Sequence, residues 1–153
     1  MKRKAAILLV EDNRMDIEFT LAVFQEARLE NHIRVAETGE YALDYLLGRG
    51  EFTDRGAHPL PDLVLLDIKL PGISGIDVLK IIKATPVLKR LPVIILTSSK
   101  EEGDRIKSYD YGVNSYLVKP ISFNGFLEMV KTFTDYWLTL NINAPIETKN
   151  AYG

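Results

Sequence analysis

The chain has 153 residues, 19 Lys and Arg against 21 Asp and Glu for a net charge of -2, 46% hydrophobic residues and no cysteine. That length suits one domain around one hydrophobic core and leaves no room for a second sizeable one. Near-balanced charge with a pI of about 5.7 excludes the footprint of a protein that binds nucleic acid through phosphates, and zero cysteine excludes disulfides, thiolate metal sites and cysteine nucleophiles. Met1-Lys2-Arg3-Lys4 followed by the apolar residues 5–10 imitates a signal peptide. The imitation fails because export needs ~7–15 apolar residues and a small-residue cleavage site, where Glu11-Asp12 stand. No apolar run approaches the roughly 18 residues of a bilayer span, so a cytoplasmic protein without membrane contact is expected.

In chain order, residues 5–10 (AAILLV) are a continuous apolar run and read as a first strand. Ile17, Leu21 and Phe24 give helical spacing over about 15–28, and residues 33–36 read as a weaker strand. Tyr41, Leu43, Leu46 and Leu47 mark a short helix after Thr38-Gly39. Residues 48–61 (GRGEFTDRGAHPLP) have neither period and read as a loop; no Gly-Lys-Ser/Thr follows its Gly-Arg-Gly, so it is not a phosphate loop. Apolar strands follow at 63–66 and 93–96, flanking a helix on Ile76, Leu79 and Ile82 that is closed by Pro86. Ser99-Lys100-Glu101-Glu102 has capping-box spacing and predicts a helix start. A weaker strand at 115–118 precedes a long helix carrying Phe126, Met129, Val130, Phe133, Trp137 and Leu140.

Short strands apolar on both faces, alternating with helices, predict an α/β protein: a (βα)5 doubly wound, parallel five-stranded sheet of flavodoxin-like topology, strand order 2-1-3-4-5. The domain is expected over residues 1–141, with a polar C-terminal tail over 142–153. In such sheets function sits at the carboxyl ends of the strands. Those ends carry Glu11 and Asp12, Asp67, Thr97 and Ser98, and Lys119. Crowded carboxylates repel, and a divalent cation resolves the conflict. Hard oxygen ligands without cysteine select Mg²⁺. Lys119 and Thr97 then complete an inventory for neutralising a phosphoryl group. Asp67 is the best-placed acceptor, alone at the end of the most apolar strand and followed by Ile68-Lys69-Leu70-Pro71-Gly72.

The motifs LVEDN at 9–13, LLDIKLP at 65–71 with GISGID following, LTSS at 96–99 and YLVKP at 116–120 together resemble the receiver domains of two-component response regulators over about residues 4–140. The resemblance implies that Asp67 accepts a phosphoryl group from a sensor histidine kinase. The protein would be a self-phosphorylating and self-dephosphorylating phosphoacceptor and not a turnover enzyme. It implies Mg²⁺ held by Glu11, Asp12, Asp67 and the Lys69 backbone carbonyl, catalytic roles for Thr97 and Lys119, and a switch formed by Thr97 and Tyr116. Many relatives have a cis bond at the position of Lys119-Pro120. The Asp12-to-Asp67 spacing is longer than in short receivers, and the 48–61 loop holds the excess. With the 13–16 context and the Tyr136-Trp137-Leu138 helix end, this resembles the stand-alone regulators of phytochrome kinases, which implies a kinase of that type.

Taken singly, each motif has a bland reading: Asp12 near a helix start, Asp67 opening a turn, Thr97 ending a strand, Lys119 on the surface. Their joint placement at strand ends is what favours chemistry. His32 and His58 are expected at the surface. Apolar residues beyond the stripe of the last helix predict a homodimer through the fifth strand and that helix, with Tyr116, Phe133, Tyr136 and Trp137 in the interface. Since the receiver-like span fills the sequence, output is expected by protein association. The alternatives are a phosphorylation-independent adaptor with a receiver fold and an FMN carrier, the latter disfavoured by acids where a phosphate loop would stand.

Overall fold

A computed structural model describes residues 6–29 and 32–143, with side chains up to Asp135. The elements run β1 (Ile7–Val10), α1 (Arg14–Glu26), β2 (Ile33–Ala36), α2 (Gly39–Leu47), β3 (Leu63–Leu66), α3 (Gly75–Ala84), β4 (Val93–Thr97), α4 (Glu102–Asp110), β5 (Ser115–Val118) and α5 (Phe123–Asn143). All pairings are parallel and the order is β2-β1-β3-β4-β5. This is the predicted topology.

The continuous apolar strands bury both faces because side chains alternate across the sheet. Leu8, Val10, Val64, Leu66 and Ile95 pack with Ala42, Leu46, Val78, Leu79 and Ile82 of α2 and α3. The intervening residues Ile7, Leu9, Leu65 and Leu96 pack on the other face with Phe24 of α1 and Phe126 and Val130 of α5. Side-chain caps start four helices: Asn13, Thr38, Ser74 and Ser122 accept from the N–H groups of Asp16, Tyr41, Asp77 and Gly125. Helix α4 is different, since its only buried residue is Ser108.

The structure departs from two readings of the sequence. Ser99 does not cap α4; the helix begins at Glu102 after Glu101, which makes no side-chain cap. The Ser99 hydroxyl instead bonds Asp104, a charged acceptor that competes better for it than a backbone N–H. The 48–61 segment is not a plain loop. A 3-10 turn, Gly50–Phe52, buries Phe52 against Tyr41 and Tyr45, and Arg55 donates to the carbonyls of Tyr45, Leu46 and His58 at 2.7, 2.6 and 3.1 Å. His58 is half-buried, packing edge-on against Tyr45 and Phe52. A single aromatic in an irregular stretch carries no period, so composition concealed the packing.

Candidate functional site

Backbone bonds hold the strand-end residues in place. Glu11 N–H donates to the Ala36 carbonyl at 2.9 Å, Asp67 N–H to Val10 at 3.0 Å and Lys119 N–H to Thr97 at 2.8 Å. Each of these candidate residues thus extends the ladder by one step and turns its side chain to the same edge. Glu11, Asp67 and Thr97 are buried, whereas Asp12 is exposed. The turn after Asp67 is close-packed. Gly72 has φ 72°, the left-handed conformation glycine favours. At Gly75 a Cβ would stand 2.1 Å from the Asp67 carbonyl oxygen, so only glycine lets α3 start against the strand end.

Glu11, Asp12 and Asp67 each offer a carboxylate oxygen within 4.8 Å of the others. This donor set is all hard oxygen, is partly open to solvent through Asp12, and fits Mg²⁺. Lys69 lies in the same turn, with its N–H donating to Asp67 Oδ1 at 3.1 Å. Lys119 Nζ donates to Glu11 Oε1 at 2.5 Å, Asp16 Oδ2 at 2.8 Å and Asp67 Oδ2 at 3.3 Å. Burial alone would lower the Lys119 pKa, but the bonds to Asp16 and Glu11 and the charge of Asp67 outweigh it, and the ammonium is held firmly protonated. Glu11 is pushed from its ordinary 4.5 up to about 7, first by burial, with the Lys119 bond opposing and the Asp67 charge adding to the rise.

Asp16 was not among the residues expected at the site. It sits three residues after the Asn13 cap, in the first turn of α1, and side chains there lean back towards the helix N-terminus and so towards the strand ends. Its legible signal was an acid in the first turn of a helix that leaves a functional strand end. Thr97 Oγ1 accepts from Ser99 N–H at 3.2 Å, and Tyr116 donates its hydroxyl to the Ser99 carbonyl at 3.1 Å. Tyr116 is therefore turned inward, and burial raises its pKa. The Lys119-Pro120 peptide is cis. Of the four residues expected in an interface, Tyr116 and Phe133 are partly buried against the core, while the side chains of Tyr136 and Trp137 lie outside the described residues, as do residues 144–153 of the expected tail.

The sequence profile of the response regulator receiver domain matches residues 7–131. The chain belongs to this family. Response regulator Rcp1 of Synechocystis is 37% identical to it over 132 residues, 86% of this chain and 88% of that protein. The probable methanogenesis regulatory protein FilR2 of Methanothrix harundinacea is 38% identical over 135 residues, 88% and 84% of the two. Among solved structures, the phosphorylated cyanobacterial phytochrome response regulator RcpA superposes with a TM-score of 0.77 at 35% identity, covering 89% of this chain and 95% of that one. A Mn²⁺-bound Rcp1 gives 0.74 at 36%, covering 88% and 94%. This receiver's near relatives thus include stand-alone, phytochrome-associated regulators. Among its described residues no helix is long and apolar enough to cross a membrane.

Proposed function

We propose that this receiver accepts a phosphoryl group on Asp67 from the phosphohistidine of a sensor kinase, one of phytochrome type, in the cytoplasm. One observation carries the reading: Lys119 Nζ sits on the buried Asp67 carboxylate and on the acids that flank it. An ammonium 3.3 Å from the attacking oxygen is placed to neutralise the phosphoryl charge as it arrives. An Asp67 oxygen attacks phosphorus, the P–O bond forms as the P–N bond breaks, and the imidazole leaves with a proton. Mg²⁺, when held by Glu11, Asp12 and Asp67 with the Lys69 carbonyl, supplies further charge neutralisation. Thr97, buried at the end of β4, supplies a neutral hydroxyl for a phosphoryl oxygen, and Tyr116 couples its movement to β5.

Output is association. We assign a homodimer to β5 and α5, supported by Val118 on β5 and Phe123 on α5, which are 37% and 38% exposed. The decisive experiment is transfer of labelled phosphate from histidine kinases, a phytochrome kinase included. Wild type takes up label and Asp67→Asn takes up none. Label retained by Asp67→Asn would remove the acceptor role.

A further inference from the structure

A second polar assembly flanks Asp67 on the side away from Lys119. The Ser99 hydroxyl donates to Asp104 Oδ2 at 2.6 Å, and the same oxygen lies 3.9 Å from Lys69 Nζ. The Asp104 side chain is 19% exposed and that of Lys69 53%, so the acid is the sheltered partner. Ser99 is the junction. Its N–H donates to Thr97 Oγ1, its carbonyl accepts from Tyr116, and its Oγ accepts from Glu101 N–H at 3.4 Å. Lys69 N–H meanwhile donates to Asp67 Oδ1. Contacts therefore run unbroken from Asp67 through Lys69 and Asp104 to Ser99, Thr97 and Tyr116. Asp104 is the only member supplied by α4. That helix buries Ser108 alone and leaves Ile106 and Tyr109 half exposed. With so little apolar anchorage, a short charge-assisted bond is a large share of what seats its first turn.

We infer that Asp104 is a positioning residue: it holds the Ser99 hydroxyl and the Lys69 ammonium on α4, and phosphorylation must break that latch. The inference rests on the reading of Asp67 as acceptor. A phosphoryl group brings up to about two negative charges and three acceptor oxygens to Asp67. It competes with Asp104 for the Ser99 hydroxyl, and with Asp104 and Glu101, each 3.9 Å away, for the Lys69 ammonium, and the larger charge wins both donors. Asp104 is then left without partners, α4 loses its seat, and the surface of α4 and β5 changes. The latch opposes phosphorylation, so weakening it speeds the reaction.

The test uses the full chain with Asp104→Ala, Ser99→Ala and the double variant, and two readouts. The first is amide hydrogen exchange in α4 and β3 of the free protein; the second is label uptake from acetyl phosphate with Mg²⁺. Each single variant should speed exchange in α4 about tenfold with β3 unchanged, and the double variant should be no faster than either. Asp104→Ala should take up label roughly 10 times faster than wild type, the low end of the scale of losing one hydrogen bond to a charge. A rise in exchange in Asp104→Ala but not in Ser99→Ala means that Asp104 acts only on the helix dipole, and overturns the latch. Unchanged or slower uptake in Asp104→Ala also overturns it. A wild type that takes no label at all overturns the acceptor reading. Exchange then decides the latch by itself, supported by the tenfold rise in both single variants and overturned by its absence.

Discussion

Glu11 holds its proton to about pH 7 because burial penalises its charge more than Lys119 rewards it. A carboxyl whose folded pKa lies above its unfolded value binds protons more tightly in the fold. Its contribution to stability is therefore full below about 4.5 and is lost as pH rises through about 7. Urea unfolding without divalent cations should show stability falling by on the order of a few kcal/mol across that window. Added Mg²⁺ should reduce the fall and Glu11→Gln should flatten it; a slope unchanged in Glu11→Gln would assign it to another group. Gly75 makes a steric prediction at the same scale. In Gly75→Ala the new Cβ meets the Asp67 carbonyl and Ile68 Cα, both backbone atoms. A loss of about 1–3 kcal/mol in denaturant unfolding is expected, with slower label uptake because the acceptor turn shifts. Most of these residues were legible in the sequence, since Glu11, Asp12, Asp67, Thr97 and Lys119 end apolar strands. Asp16 was legible only as an acid in a first helical turn, because its part depends on the angle at which α1 leaves β1.

At the scale of elements, the 48–61 segment shows how local composition misleads. Gly, Pro and charged residues spoke for an open loop, yet Phe52 and His58 pack on α2, and the Arg34 guanidinium lies 4.8 Å from the centre of the Tyr45 ring. Arg55 closes the C-terminal end of α2, where carbonyls lack helical partners. Arg55→Ala should cost about 1.5–3 kcal/mol, the scale of hydrogen bonds to a charged group. Proteolysis within 50–60 should rise while label uptake stays at the wild-type rate, since the segment lies away from Lys119; protection unchanged from wild type would show that the aromatic contacts suffice. Helix α4 is the opposite case. Its sequence has helical length but no apolar stripe, so its start was set by tertiary contacts of Ser99 and Asp104, and the cap position moved two residues, from Ser99 to Glu101.

For the whole molecule, the proposed output is a change in association, and light scattering at tens of micromolar measures it. Phosphorylated wild type should shift towards dimer relative to the Asp67→Asn protein. A monomer in both states would remove the homodimer and leave a different protein as the partner. The order of strands, the burial of both sheet faces and the edge on which the site lies all followed from the sequence. Apolar runs, helical periods and right-handed crossovers are local or chiral constraints that leave few ways to stack five βα units. Membership of the receiver family was equally legible, because its motifs recur at the strand ends. Only the tertiary structure decided which charges meet: that one ammonium is shared by Glu11, Asp16 and Asp67, that Ser99 turns to Asp104 instead of capping its helix, and that Tyr116 points inward. Those choices depend on distances of a few ångströms between residues far apart in the chain, and electrostatic and hydrogen-bond energies vary steeply over such distances.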